Sequence, residues 1–359
     1  MKTVMVMAGG TGGHVYPALA VAESLIQFGI KVVWLGTRAG LEGRVVPAAG
    51  IEVEWIEVKG LRGSVWLRKL CLPLMLGRAL IQAHAAIRRQ RPVALLGMGG
   101  FVAGPGGLVA WLMRLPILIH EANTRAGLTN RLLAPLARSV MCGFPATVGL
   151  GKQAEWTGNP VREEFLGFPP PAEHYGQQAD EVLHVLVIGG SQGARVLNQV
   201  LPLAMARLRP EQRPKLVHQC GRGRSTPLER HYRQLQMDAE VQEYIDDIAA
   251  VYRKADLVIC RAGAMTVSEI CAAGLAALLV PYPYSAGDHQ KSNADYLASR
   301  GAAIAVDESE FSAQQLARTV SELHNDRARL LSIGEKARAL ARLDAAQKVT
   351  ARCLEVIGA

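Results

Sequence analysis

Two doubly wound α/β domains are what the 359-residue sequence predicts, and three observations predict them. The opening "TVMVMAGGTGGHVYPALAVAESL" passes from an apolar run through a glycine turn into a helical pattern. "LHVLVIGGSQGARVLNQVLPLAMARL" repeats that design, with Gly189 lying 180 residues after Gly9. In each half apolar runs alternate with helical patterns, which is how parallel sheets covered on both faces read. Between the halves, "GNPVREEFLGFPPPAEHYGQQADE" has three consecutive prolines and little periodicity, so it reads as a linker and sets a boundary near residue 163. A chain of this length is also long for one core.

The elements follow in order. The first half offers strands in "TVMVMAG", "KVVWLGT", "VALLGMGG" and "PILIHEAN"; the second in "VLVIGG", "KLVHQCG", "DLVICRAG" and "AALLVPYP". In such sheets ligands sit beyond the carboxyl ends of the strands, where these glycine turns fall, and the two domains are expected to face each other across a cleft. The first turn holds four glycines in five residues (Gly9, Gly10, Gly12, Gly13), whereas a plain strand-to-helix turn needs one. A helix N-terminus carries unpartnered N–H groups and partial positive charge, and glycines let a phosphate or a sugar approach them.

Composition excludes several classes. Half of the chain is hydrophobic and 20% is charged, a globular balance. One lysine precedes only six apolar residues before the first glycines, so no secretory signal is expected. Pro92 to Ile119 is apolar enough to suggest a membrane span, but its glycines and Pro105 break it into strand, loop, short helix and strand. The six cysteines lack C-x-x-C spacing, which argues against a metal knuckle or a disulfide framework and for a reduced cytoplasmic location. Basicity is confined to the first half: residues 1–163 hold 18 Lys+Arg against 8 Asp+Glu, and the remainder 22 against 23. That asymmetry suggests an anionic partner, nucleic acid or an acidic lipid surface.

A dinucleotide fingerprint needs G-x-G-x-x-G and an acid about 20 residues on. Neither turn complies: Val15 takes the third glycine position of the first, and Gln192 the second of the other. "KVVWLGTR" ends without an acid, although Arg38 can in principle meet a 2′-phosphate. In the second half, "CRAGAMTVSEICAAG" sets Arg261 and Gly263 after a strand, with Thr266 and Glu269 at a helix start. T-x-x-E is a capping-box pattern, and spacing alone favours the cap. A carboxylate there can also accept from both hydroxyls of a ribose while the turn amides bind a diphosphate.

"GGTGGHVYPA", "HEAN", "GNPVR", "GGSQGA", "RAGAMTVSE" and "DHQKSNA" stand in the order of the motifs of one family, which the chain resembles from end to end: the bacterial GT-B glycosyltransferases that add N-acetylglucosamine to lipid I. The resemblance implies two Rossmann-like domains. Residues 1–163, rejoined by the C-terminal helix from about 341 to 359, would take the lipid acceptor; residues 164–340 would bind UDP-N-acetylglucosamine. The product would be lipid II for peptidoglycan synthesis. Carried over residue by residue, the donor site comprises Thr11, Gly12, Gly13, Asn123, Arg162, Ser191, Ile245, Ala264, Met265, Thr266, Val267, Ser268, Glu269 and Gln290. Gly99, Gly100, Gly104 and Asn130 fall on the acceptor side. The chemistry is sensible: Arg162, Ser191 and the turn amides suit phosphates, the Ile245 main chain a uracil edge, Glu269 a ribose, and Asn123 and Gln290 sugar hydroxyls. Where the family often has two glutamines, this chain has Gln290 followed by Lys291.

The resemblance implies direct inverting attack, with a base that deprotonates the acceptor hydroxyl. His14 fits that role, because a positive helix end favours the neutral imidazole that a base requires, and Glu121 in "HEAN" competes for the role or assists it. "IDDI" invites a metal, but the D-x-D motif is lacking and Asp246 and Asp247 precede a helical pattern, so capping is expected, with no metal and no cofactor. A UDP-sugar epimerase of the same architecture and, more remotely, an NADP-linked oxidoreductase are the alternatives. Finally, "SVWLRKLCLPLMLGRALIQAHAAIRRQRP" has apolar residues on more than one helix face (Trp66, Leu67, Leu70, Leu72, Leu74, Met75, Leu76, Leu80) beside Arg68, Lys69, Arg78, Arg88, Arg89 and Arg91, with "WLMR" (Trp111 to Arg114) as an extension. This suits a peripheral protein held against anionic phospholipid on the cytoplasmic face of the inner membrane, with no nucleic acid as partner.

Overall fold

The apolar run that opens the chain is a strand, β1 (Thr3–Met7), and its alternation feeds two cores. Val4 and Val6 join one face's cluster with Val15, Ala18 and Leu25; Met5 and Met7 join the other with Ala83, Ile87 and Val109. The computed structural model describes residues 1–58, 72–177, 182–190 and 192–359. Trp66, Leu67, Arg68, Lys69 and Leu70 of the basic apolar stretch, and Ser191 of the second glycine turn, therefore lie outside the described residues.

After β1 come α1 (Gly12–Gln27), β2 (Lys31–Gly36), α2 (Glu42–Ala48), β3 (Glu52–Trp55), α3 (Leu72–Gln90), β4 (Ala94–Gly97), α4 (Ala103–Leu112), β5 (Ile117–Glu121), α5 (Leu128–Leu133), β6 (Ser139–Cys142) and β7 (Glu155–Trp156). Among the described residues these strands form one parallel sheet in the order β3-β2-β1-β4-β5-β6-β7. Strand order reverses between β1 and β4, and such a reversal opens a crevice at the carboxyl ends of the two strands. The apolar stretch from Pro92 to Ile119 is β4, a glycine turn, α4 and the start of β5, as its glycines predict.

The second sheet is built the same way from α6 (Pro171–Gln177), β8 (His184–Ile188), α7 (Arg195–Met205), β9 (Lys215–Gln219), α8 (Ser225–Gln234), β10 (Glu240–Gln242), α9 (Ile248–Tyr252), β11 (Leu257–Cys260), α10 (Ala264–Ala273), β12 (Ala276–Leu279), α11 (His289–Ala298), β13 (Ile304–Ala305), α12 (Ala313–Asn325) and α13 (Arg327–Ala339). Its order, β10-β9-β8-β11-β12-β13, places the reversal between β8 and β11. Contacts divide the chain into one compact unit of Met1–Arg162 with Arg342–Ala359, and a second of Glu163–Ala341. The last helix, α14 (Ala345–Ile357), buries Val349 and Cys353 in the core shared by β1 and α1, and Lys2 donates to the Ile357 and Gly358 carbonyls at its C-terminus (2.8 and 2.7 Å).

The proline-rich segment is more than the linker its composition suggests. Phe165 is fully buried, stacks on Phe168 (5.3 Å) and meets Tyr252 edge-on (5.1 Å), and the Arg253 guanidinium lies 4.7 Å from the centre of the Phe168 ring. Two aromatic anchors dock the segment on the second unit without needing any periodicity. Pro171 then starts α6, where its fixed φ suits a first helical position.

Candidate functional site

In the first unit the crevice between β1 and β4 is where the two glycine turns nest. Gly99 and Gly100 both have positive φ (+103° and +82°), open to glycine at little cost. A Cβ on Gly100 would overlap the Gly9 carbonyl, and one on Gly99 would stand 2.5 Å from His14 Cδ2 and 2.9 Å from Nε2. The turn after β4 is thus the seat of the His14 imidazole. His14 is the third residue of α1; its N–H and that of Val15 donate to the Thr11 carbonyl (3.0 and 3.2 Å), and no side chain caps the helix. Exposed Thr11 and half-buried Gly12 and Gly13 complete this turn. Gly104 lies in the first turn of α4, where an added Cβ would meet Thr129 at 3.7 Å, an ordinary contact.

Beside it, at the end of β5, Glu121 is buried and organises the "HEAN" loop. Its Oε1 accepts from the Asn123 backbone N–H (3.0 Å) and side-chain amide (2.9 Å), and its Oε2 from the Gly127 N–H (3.0 Å) and the Asn130 amide (2.8 Å). Four donors occupy the four acceptor positions of a carboxylate. This geometry suits shaping the loop better than receiving a proton. The adjacent His120 is fully buried, pairs through Nε2 with the Gly158 carbonyl (2.8 Å), and is held below the usual histidine range mainly by desolvation. Arg162 stacks its guanidinium 5.1 Å from the Tyr16 ring centre, in the same unit. Arg38, weighed for a 2′-phosphate, lies over Trp55 at 5.2 Å.

Sequence reading missed Glu42. It is fully buried beneath the first glycine turn and bonds to Gly10 and Thr37. Nothing in "LEGRVVPA" distinguishes it from the exposed acid of an ordinary helix start.

In the second unit the Gly189 N–H donates to the Gln219 carbonyl (3.1 Å), tying the turn after β8 to the end of β9, and the Gly193 N–H donates to the Gly190 carbonyl (2.9 Å) within the turn. Across the strand reversal, α10 begins at Ala264 with Gly263 as its N-cap and no side-chain cap bond. The capping box read from T-x-x-E is therefore corrected: Thr266 is already the third helical residue and Glu269 the sixth. Gly263 is extended (φ −65°, ψ 141°), so the cap position falls three residues before the threonine and the helix starts two before it. Glu269 is buried, and it is the second cause, after desolvation, of the raised pKa of the Cys260 thiol at the end of β11. Ala264, Met265 and Val267 are buried along the same turns, and the Ser268 hydroxyl donates back to the Ala264 carbonyl (2.9 Å). Arg261 ties down the strand ends: it donates to the Val280 and Pro281 carbonyls (3.1 and 3.3 Å) and pairs with Glu308 (2.6 Å).

Gln290 accepts from the Tyr282 N–H (2.9 Å) in the loop after β12. Lys291 turns instead to both oxygens of Asp307 (2.9 Å each). Ile245 is buried just before α9. Asp247 caps that helix, as expected from the sequence, by accepting from the Ala250 N–H (3.0 Å).

A separate surface of the first unit exposes apolar side chains. On α3, Ala79, Ala83, Ala86 and Ile87 form the buried stripe, while Leu74 and Ile81 are 79% and 73% exposed; on α4, Trp111 and Leu112 are 47% and 65% exposed. Arg78 shares the Leu74–Ile81 face at helical spacing, and exposed Arg114 follows Leu112. No described helix is long and apolar enough to cross a membrane.

Residues 4–142 match the glycosyltransferase family 28 N-terminal domain, and residues 184–349 its C-terminal domain. The chain is 50% identical, over 98% of both chains, to the UDP-N-acetylglucosamine–N-acetylmuramyl-(pentapeptide) pyrophosphoryl-undecaprenol N-acetylglucosamine transferase of Nitrosococcus oceani. The crystal structure of Acinetobacter baumannii MurG superposes with a TM-score of 0.83 at 37% identity, covering 99% of this chain and 100% of that one. A UDP-GlcNAc 2-epimerase from Neisseria meningitidis shares the fold (TM-score 0.68, covering 99% and 100%) at only 13% identity, so fold alone does not separate transfer from epimerisation. Sequence does: the chain belongs to glycosyltransferase family 28, is built on the GT-B fold, and is a glycosyltransferase.

Proposed function

We propose that this enzyme moves N-acetylglucosamine from UDP-N-acetylglucosamine to the muramyl C4 hydroxyl of lipid I, with inversion, and so makes lipid II. The observation that carries the reading is 50% identity along 98% of a relative named for that transfer. The second unit takes the donor: the Gly189–Gly193 turn and the α10 N-terminus supply amides for the diphosphate, Glu269 the ribose contact, Gln290 a sugar contact. His14 takes the proton of the C4 hydroxyl as that oxygen attacks the anomeric carbon and the bond to the UDP oxygen breaks. Thr11, Gly12, Gly13, Gly99, Gly100 and Asn123 shape the ground around it, and the four bonds of Glu121 support a positioning role there.

The lipid acceptor calls for a peripheral membrane enzyme. Leu74, Ile81, Trp111 and Leu112, with Arg78 and Arg114 beside them, suit an apolar patch set among headgroups of anionic phospholipid. Titration calorimetry with UDP, UDP-N-acetylglucosamine and NADPH tests the donor assignment. Binding of the two uridine nucleotides, with none of NADPH, is expected; tight NADPH binding without UDP would return the chain to the oxidoreductases.

A further inference from the structure

Beneath the first glycine turn lies a carboxylate that the transfer chemistry above leaves unused. Glu42 opens α2, is fully buried, and joins three pieces of backbone. Its Oε2 accepts from the Gly10 N–H (3.0 Å); its Oε1 accepts from the Thr37 N–H (3.1 Å) and from the Thr37 hydroxyl (2.7 Å). The turn after β1, the end of β2 and the start of α2 therefore meet at one side chain. Space has been cleared for it: a Cβ on Gly9 would stand 2.6 Å from Oε1, and one on Gly40 would overlap the carboxylate. A buried carboxylate is costly unless its charge is met, and here three donors and a helix N-terminus meet it.

We infer that Glu42 is a positioning residue for transfer: by holding the Gly10 N–H it sets the turn that presents His14, and the inference rests on the role proposed for His14. The mechanical path is short. Gly9 is held between Glu42 and Val102 (2.8 Å to a Cβ there), its carbonyl abuts Gly100, and the preceding residue of that second turn, Gly99, seats the imidazole. No side chain caps α1, so this turn takes its support from below.

Glu42→Gln is the informative change, because it keeps size and burial. An amide has one acceptor oxygen and one donor group: with the oxygen toward Thr37 its NH₂ faces the Gly10 N–H, and flipped it faces the Thr37 N–H. Either way a bond becomes a donor–donor contact. The test uses the full chain with UDP-N-acetylglucosamine and a synthetic lipid-linked muramyl-pentapeptide acceptor, and measures kcat, both KM values and Tm for Glu42→Gln, His14→Ala and the double variant.

A turn displaced by a fraction of an ångström to 1 Å lowers kcat about 10- to 100-fold. Donor KM should change less than about 2-fold, and the double variant should be no slower than His14→Ala, since residues acting as a unit do not add. Normal kcat in folded Glu42→Gln, or losses that multiply in the double variant, would overturn the positioning role while leaving His14 in place. A slow Glu42→Gln beside a normal His14→Ala would overturn the route through His14 and the base assignment with it. If Glu42→Gln does not accumulate folded, Thr37→Val removes one donor and leaves the carboxylate. A kcat loss that disappears in the His14→Ala background then supports the inference, and an additive loss overturns it.

Discussion

Alanine at Gly99 would break the seat of the proposed base with a single methyl group. The backbone there has φ +103°, a region that costs an L-residue about 1–3 kcal/mol. The new Cβ would also stand 2.5 Å from His14 Cδ2, whereas non-bonded carbons settle at roughly 3.5–4.0 Å, so the ring must retreat by about 1 Å. A misplacement of about 1 Å at a reacting group costs on the order of 10²-fold in rate. For a unit of this size each kcal/mol moves Tm by about 2–4 °C, so the strain alone predicts a fall of about 2–12 °C. UDP release in the presence of a lipid-linked muramyl acceptor reads the rate, and differential scanning fluorimetry reads Tm. Gly176→Ala in α6, where a Cβ meets open space, is the control: it should gain up to about 0.5 kcal/mol and keep its turnover. Full kcat in Gly99→Ala with a lowered Tm would place the chemistry away from His14, and no change in either would refute the nesting of the two turns.

Glu269→Ala should weaken UDP binding by about 1.5–3 kcal/mol, the range for a charged hydrogen bond; because α10 starts after Gly263 and Glu269 caps nothing, that loss could not be ascribed to a lost cap, and unchanged affinity in titration calorimetry would remove Glu269 from the donor site. His218, fully buried between Tyr232 and Asn198, is pushed down to about 3 by desolvation. Below the ordinary histidine pKa of about 6.5 the unfolded chain binds a proton that the folded one refuses, so stability is full above that pH and falls by up to about 1.4 kcal/mol per unit as pH drops toward 3. Chemical denaturation from pH 7 to pH 4 should show this slope flattened in His218→Gln, and an identical slope would locate the acid sensitivity elsewhere. Binding to anionic vesicles should fall with salt and by up to about 30-fold in Arg78→Ser/Arg114→Ser, at about 1 kcal/mol for each cation near the surface. Equal binding to neutral and anionic vesicles, indifferent to salt, would leave only the apolar residues as the anchor.

What the sequence made legible follows from burial. "TVMVMAG", "KVVWLGT" and "DLVICRAG" read as strands because both their faces are covered, so nearly every residue is apolar. β3, "EVEW", was not read: it is a four-residue edge strand whose acids pair with Lys31 and Arg89. β7 and β13 span two residues each and carry no pattern at all. At the site, glycine spacing announced both turns, but carboxylate roles were hidden. The partners of Glu42 are a backbone amide in the turn after β1 and a threonine just past β2, and those of Glu121 are donors spread from the loop after β5 into α5. Only the fold brings such groups together. T-x-x-E misled for the opposite reason, since local spacing matched a cap while Gly263 had already started the helix.

The most direct test of transfer to a muramyl acceptor is proton NMR of the products formed from UDP-N-acetylglucosamine and the lipid-linked muramyl pentapeptide by the purified full-length chain. A new β-glycosidic linkage at the muramyl C4, formed in step with one UDP per transfer and absent without acceptor, is the predicted result. Conversion of UDP-N-acetylglucosamine to its C2 epimer without acceptor, or an α-linked product, would contradict the account.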